Sequence, residues 1–193
     1  MRIGIYGGTF NPIHIGHLIV IESVREQLQF DKLIFIPSAN PPNKSDPTLA
    51  PALERLHMAR IAVETNPEFE VSDIETARGG ISYTVDTVKT LEALYPKASL
   101  SLIIGADNLL EFQTWKSPQE ILQKVELVVM NRPGYAVQGT KTDYYRLAKH
   151  VNVPQIGVSG TDIRRRVKLG RSIRYLVPQK VEEYIRFKGL YKD

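Results

Sequence analysis

The chain has 193 residues, 42% hydrophobic and 24% charged, with a formal net charge of +4 and no cysteine. That length suits one domain with its own core, and the composition is that of an ordinary soluble globular protein. Without cysteine there are no disulfides, thiolate metal sites or thiol nucleophiles; with no signal-peptide core and no apolar run near the ~18 residues of a membrane span, a cytoplasmic protein is expected, with no membrane partner.

Residues 2–6 (RIGIY) read as a short strand, followed by GGTFNPIHIGH at residues 7–17. A helical pattern covers residues 15–28, with Leu18, Ile21, Val24 and Leu28 at near-helical spacing and Glu22, Arg25 and Glu26 on the wet side. Residues 32–37 (KLIFIP) form a continuous apolar run of strand length, as in a parallel sheet covered on both faces. Residues 38–51 hold Pro41, Pro42, Pro47 and Pro51; the stretch is too proline-rich for regular structure and long for a simple connection, so it reads as a functional loop.

A helix is expected over residues 51–65 with Leu53, Leu56, Ala59 and Val63 along one side, then a strand over 69–74. Residues 82–95 read as a helix with Val88, Leu91 and Tyr95 inward, and 99–104 as a strand ending at Gly105-Ala106-Asp107-Asn108. A short helix precedes Ser117-Pro118, which opens another with Ser117 as N-cap. Residues 126–130 read as a strand, 142–150 as a helix and 153–158 as a last strand, and two helices finish the chain. His57 and His150 fall in helical patterns and read as surface or structural residues.

Alternating strands and helices without a repeat or linker predict an α/β fold: Rossmann-like, doubly wound, with a mostly parallel sheet and helices on both faces. Such sheets bind ligands beyond the carboxyl ends of their strands. The chemistry-bearing residues fit that rule, because residues 7–17, 38–44, Asp107, Arg132 and Ser159 all follow expected strands.

Residues 7–17 match neither G-x-x-x-x-G-K-[ST] nor G-x-G-x-x-G, so neither a P-loop nor a dinucleotide fingerprint is present. Gly7 and Gly8 permit positive φ and close backbone approach, and Thr9 adds a hydroxyl. His14 and His17, three apart at a helix start, share one face near the positive end of the helix, where two imidazole N–H donors suit phosphate oxygens. A zinc reading lacks both cysteine and the glutamate of H-E-x-x-H. The charge is also uneven: residues 159–193 carry ten Lys and Arg against four Asp and Glu. Such a basic segment suits a nucleic-acid surface, a polyanionic small molecule or a solvated helix face.

These residues resemble the HxGH nucleotidyltransferases, whose signatures are a G-G-T-F-[DN]-P-x-H-x-G-H loop near the N-terminus and an I-S-S-T-x-I-R-like motif near the C-terminus. The first is intact here; the second stands as Val158-Ser159-Gly160-Thr161-Asp162-Ile163-Arg164, with Gly160 where serine or alanine is more familiar. Within that superfamily the chain is most similar to the bacterial nicotinate-mononucleotide adenylyltransferases. Pro41-Pro42-Asn43-Lys44, Ser82-Tyr83-Thr84-Val85-Asp86-Thr87, Ile104-Gly105-Ala106-Asp107, Trp115-Lys116 and Asn131-Arg132-Pro133-Gly134-Tyr135 carry the likeness. Asn43 replaces the histidine usual before the lysine.

The resemblance implies a Rossmann-like fold and adenylyl transfer from ATP to nicotinate mononucleotide, with Mg²⁺ arriving on ATP and no protein metal site. It assigns catalysis to His14, His17, Lys44 and Arg164. ATP binding falls to Gly7, Gly8, Thr9, Phe10, His17, Ser159, Thr161 and Arg164. Mononucleotide binding falls to Thr9, Lys44, Tyr83, Thr84, Asp107, Trp115 and Arg132, with Trp115 stacked on the pyridine ring and Asp107 on ribose hydroxyls. It also makes residues 1–193 a single nucleotidyltransferase domain whose basic helical segment from about residue 159 completes the ATP site. A homo-oligomer is compatible with the sequence.

Three rivals remain to be weighed. A sister enzyme using phosphopantetheine or nicotinamide mononucleotide would share the fold, but Trp115-Lys116 and Ser82-Tyr83-Thr84 argue against phosphopantetheine. A class I aminoacyl-tRNA synthetase fragment would share the HIGH of residues 14–17, yet the chain has no K-M-S-K-S-like loop. A nucleic-acid-binding module would leave the histidine loop unexplained, and no nucleic-acid partner is expected.

Overall fold

The computed structural model describes residues 1–41, 48–131 and 143–192. Six parallel strands form one sheet: β1 (Arg2–Gly8), β2 (Lys32–Pro37), β3 (Phe69–Val71), β4 (Ser99–Gly105), β5 (Glu126–Asn131) and β6 (Lys149–Asn152), in the order β3-β2-β1-β4-β5-β6. The strand order reverses between β1 and β4, which opens a crevice at their carboxyl ends.

The strands β1, β2, β4 and β5 have neighbours on both faces, and the period of two divides their side chains between two cores. On one face Tyr6, Leu33, Phe35, Ile103, Val128 and Met130 meet helices α1 (Ile15–Leu28), α2 (Ala52–Val63), α8 (Gly160–Lys168) and α9 (Gln179–Lys188). On the other, Ile3, Ile5, Ile34, Ile36, Leu127 and Val129 meet α4 (Thr84–Leu94), α5 (Ala106–Glu111) and α6 (Pro118–Lys124). The expected doubly wound α/β architecture is therefore present, with α3 (Ile74–Arg78) and α7 (Asp143–Leu147) as short connections. No helix among the described residues is long and apolar enough to cross a membrane.

Several local expectations are corrected. The last strand is Lys149–Asn152, so His150 lies on β6 and not in a helix, and residues 153–158 have no regular structure. The strand expected over 69–74 stops at Val71 and gives way to α3. Ser117 does occupy the N-cap of α6, but in the left-handed region (φ 51°) and without a side-chain capping bond. On α2, Leu53 is 71% exposed while Arg55 is fully buried beside Leu56, Met58 and Ala59. The apolar spacing predicted the helix and misjudged its inward face, because a buried arginine carries no hydrophobic signal.

Candidate active site

A cavity of about 560 Å³ occupies the crevice at the switch point. Its walls come from the ends of β1, β2 and β4, the start of α4, and residues 107–116. Gly7, Gly8, Thr9, Phe10, His17, Tyr83, Thr84, Asp107 and Trp115 all line it.

The histidine loop owes its shape to Phe10 more than to the glycines. Phe10 carries the positive φ (47°), and neither Gly7 nor Gly8 does. Gly8 is required for another reason: a Cβ there would lie 2.9 Å from the Phe10 ring, which folds back over it. Phe10 then packs edge-on against His17, with ring centroids 5.2 Å apart. His14 is buried at the helix N-cap, its ring stacked on that of His17 at 3.6 Å. The His14 main-chain N–H donates to Nδ1 of His17 (3.2 Å). A neutral His17 with an accepting Nδ1 holds its proton on Nε2, so a residue lining the cavity is set up as a donor there. His14 supports that ring from below and does not itself line the cavity.

The far wall is the N-terminus of α4. Thr84 is its first residue, whose N–H has no intrahelical acceptor; the Tyr83 N–H is already engaged by Ile81 O (3.1 Å). Lys116 Nζ lies 4.3 Å from the centroid of the Tyr83 ring and 3.2 Å from Asp86 Oδ2. Trp115 is half-buried against Phe112, ring centroids 5.1 Å apart, and is among the residues that line the cavity. Asp107 is exposed at the mouth, directly after β4.

Two residues outside the expected site set also bear on the cavity. Ser82 Oγ accepts from the main-chain N–H of Ala39 (2.9 Å) and Asn40 (3.3 Å), joining the exit of β2 to the entrance of α4. Ser38, whose N–H donates to Gly8 O (2.9 Å), lines the cavity with a buried hydroxyl that has no hydrogen-bond partner among the described residues. In the sequence Ser38 opens the proline-rich stretch after β2 and Ser82 begins the Ser82-Tyr83-Thr84 motif, but neither pattern reveals these bonds.

The second motif sits apart from this cavity. Ser159 caps α8, accepting from the Asp162 N–H at 3.2 Å. Asp162 in turn holds Arg165 (2.7 Å) and Arg166 (2.8 Å), and the Arg166 and Arg165 guanidiniums keep its carboxyl below the usual aspartate range. Arg164 turns the other way: Nε donates to Thr48 Oγ1 and Nη1 to Asn11 O, both at 2.8 Å. Thr161 and Arg164 line a neighbouring groove of about 460 Å³ together with Lys168 and Tyr191. The two motifs thus meet at Asn11. A Cβ on Gly160 would lie 2.8 Å from Asn11 O, so glycine at this position lets the histidine loop rest directly on the start of α8. Lys44, Asn43 and Arg132 lie outside the described residues.

Comparison with known proteins gives the family and the fold. Residues 5–166 match the cytidylyltransferase-like family model. A probable nicotinate-nucleotide adenylyltransferase of Thermoanaerobacter sp. (strain X514) is 45% identical over 100% of this chain and 95% of its own length. Another, from Thermus thermophilus, is 43% identical over 100% of both chains. Among solved structures, the Plasmodium falciparum nicotinic acid mononucleotide adenylyltransferase complexed with NaAD has the same fold, with a TM-score of 0.79 at 19% identity over 98% of this chain and 97% of that one. A putative nicotinate-nucleotide adenylyltransferase from Vibrio parahaemolyticus gives a TM-score of 0.72 at 22% identity over 100% and 97%. The chain therefore belongs to the cytidylyltransferase-like nucleotidyltransferases and, among them, to the nicotinate-nucleotide adenylyltransferases.

Proposed function

We propose that this protein transfers the adenylyl group of ATP to nicotinate mononucleotide, forming nicotinate adenine dinucleotide and pyrophosphate in NAD biosynthesis. The observation that carries the reading is the convergence at Asn11 of two anion-suited elements, the histidine loop and the capped helix bearing Arg164, beside a cavity with an aromatic wall.

A phosphate oxygen of the mononucleotide attacks the α-phosphorus of ATP in line, and the bond from that phosphorus to the β-phosphate oxygen breaks as pyrophosphate leaves. The nucleophile is already an anion and needs no general base or covalent intermediate. What the protein supplies is placement and positive potential. His17, donating from Nε2, meets the α-phosphate, with His14 holding its ring in place. Backbone from Gly7 to Phe10, with Ser159, Thr161 and Arg164, receives the rest of the triphosphate, so that the basic segment from about residue 159 completes the ATP site within a single domain. Lys44 and Arg132 add charge to the mononucleotide side, as in the family pattern.

In the acceptor pocket Trp115 stacks on the pyridine ring, and the carboxylate meets the start of α4 at Tyr83 and Thr84. Because the Tyr83 N–H is bonded to Ile81 O, the Thr84 N–H and hydroxyl are the better donors for it. Asp107 accepts from ribose hydroxyls. Mg²⁺ would arrive with ATP and neutralise part of the triphosphate charge. A cytoplasmic location suits these substrates.

Pyrophosphate release from MgATP with nicotinate mononucleotide, and separately with nicotinamide mononucleotide, tests the reading. Turnover should be faster with the nicotinate substrate. No product with either acceptor overturns the reading, and equal rates overturn the nicotinate preference alone.

A further inference from the structure

Helix α2 contributes no side chain to either cavity among the described residues, yet it carries Arg55, which is 0% exposed and the largest fully buried side chain among them. Its three donor nitrogens diverge to three main-chain carbonyls: Nε to Ala50 O at 2.9 Å, Nη1 to Thr9 O at 2.7 Å and Nη2 to Ala39 O at 2.9 Å. Arg55 lies in the first turn of α2, and helical side chains lean toward the N-terminus, which directs the guanidinium back past the helix start.

We infer that Arg55 is a positioning residue for adenylyl transfer: one guanidinium sets the histidine loop, at Thr9, against both ends of the segment joining β2 to α2, at Ala39 and Ala50. Each of these residues is tied to the site by a further link. Thr9 lies in the cavity wall between Gly8 and Phe10. The Ala39 N–H donates to Ser82 Oγ beside the start of α4, and the Ala50 N–H donates to Asn11 Oδ1 at 3.1 Å. Arg55 therefore sits behind the triphosphate loop, the acceptor wall and the junction with Arg164 at once.

Packing alone does not account for an arginine here. Burying a cation is costly, and desolvation draws the guanidinium's pKa down, with Tyr191 and Glu75 acting the other way. Methionine would fill similar volume without that penalty. What arginine adds is a planar fork of fixed geometry that bonds in three directions, which the single ammonium of lysine does not reproduce.

The inference rests on the adenylyl-transfer reading, which the wild-type enzyme tests by itself in the same assay. Arg55→Lys is compared with Met58→Ala, a cavity-forming change at another fully buried position on α2 whose side chain has no donor for these carbonyls. Both are assayed with saturating MgATP and nicotinate mononucleotide at a temperature where circular dichroism shows each fully folded. The expected result for Arg55→Lys is a kcat lowered by roughly 10- to 100-fold with both KM values within about threefold of wild type, since small misplacements of reacting groups act on the transition state. Met58→Ala should keep kcat within about twofold. A folded Arg55→Lys enzyme with kcat within about twofold of wild type overturns the inference, as does a loss no larger than that of Met58→Ala. If Arg55→Lys does not fold, Arg55→Gln replaces it under the same criteria; failure of both to fold assigns Arg55 to folding and equally overturns it.

Discussion

At His17 the hydrogen bond from the His14 main chain and the stacked His14 ring fix both the tautomer and the plane of the imidazole. A preorganised donor of this kind, removed, typically lowers kcat by about 10²- to 10³-fold. His17→Ala should show a loss of that order with an unchanged far-UV spectrum, and near-normal turnover would refute phosphate stabilisation by this residue. Gly160 makes a different prediction. A methyl group there must displace the Asn11 carbonyl, which already accepts from Arg164. Gly160→Ala should therefore lower stability by about 1–3 kcal/mol, the usual range for overpacking, and raise the KM for ATP more than that for the mononucleotide. Thermal melts and paired titrations check it; equal shifts in the two KM values would detach Gly160 from the ATP side. The histidine loop could be singled out from the sequence because glycines and paired histidines at a helix start announce their chemistry, and Ser159 and Arg164 through the resemblance of residues 158–164 to the family's second motif. Arg55 could not, and the bonds of Ser38 and Ser82 could not be read although both fall in stretches the sequence marks, because one arginine or serine in a helical or loop pattern looks the same whether it faces water or a buried partner.

Among the elements, α8, the connection from α8 to α9 and the residues after α9 brace the first loop. The Ile15 N–H at the head of α1 donates to Leu176 O (3.0 Å), and the Tyr191 hydroxyl donates to Asn11 Oδ1 (2.8 Å). Tyr184 of α9 bonds Glu54 of α2, which Lys188 also reaches. Burial raises the Tyr191 phenol above the usual tyrosine range, with Arg164 and Arg55 pulling the other way. The sign follows from proton counting: above about pH 10 the unfolded chain releases a proton that the folded protein keeps, so this stabilisation is fully present below that pH and is lost as pH rises. Tyr184 shifts in the same direction, through burial and its bond to Glu54. Tyr191→Phe should therefore flatten the alkaline decline of unfolding free energy without abolishing it. Denaturant titrations across the alkaline range measure this, and superimposable slopes for the two proteins would refute it.

For the molecule as a whole, the α/β alternation was legible because the strands β1, β2, β4 and β5 are sandwiched between two layers of helices and write an unbroken apolar run or a short apolar segment. The assignment failed at the sheet edge. Lys149–Asn152 holds only four residues, with Val151 the one fully buried, and its polar neighbours resemble a helix end more than a strand. By contrast residues 153–158, although apolar enough for a strand, have no ladder partner among the described residues. Strand order and the distant bonds to Asn11 lay beyond any local pattern, since Arg164 and Tyr191 stand 153 and 180 residues away from it.

Those separations bear on how the protein is made. Synthesis delivers β1 and the histidine loop first, while their partners at residues 164, 176 and 191 come in the last part of the chain. A nascent chain still on the ribosome can pair β1 with β2 and β4, yet its signature loop waits for residues not yet translated. Contacts of such long range also form slowly. The histidine loop thus gains its partners at residues 164, 176 and 191 only after all six strands have been translated.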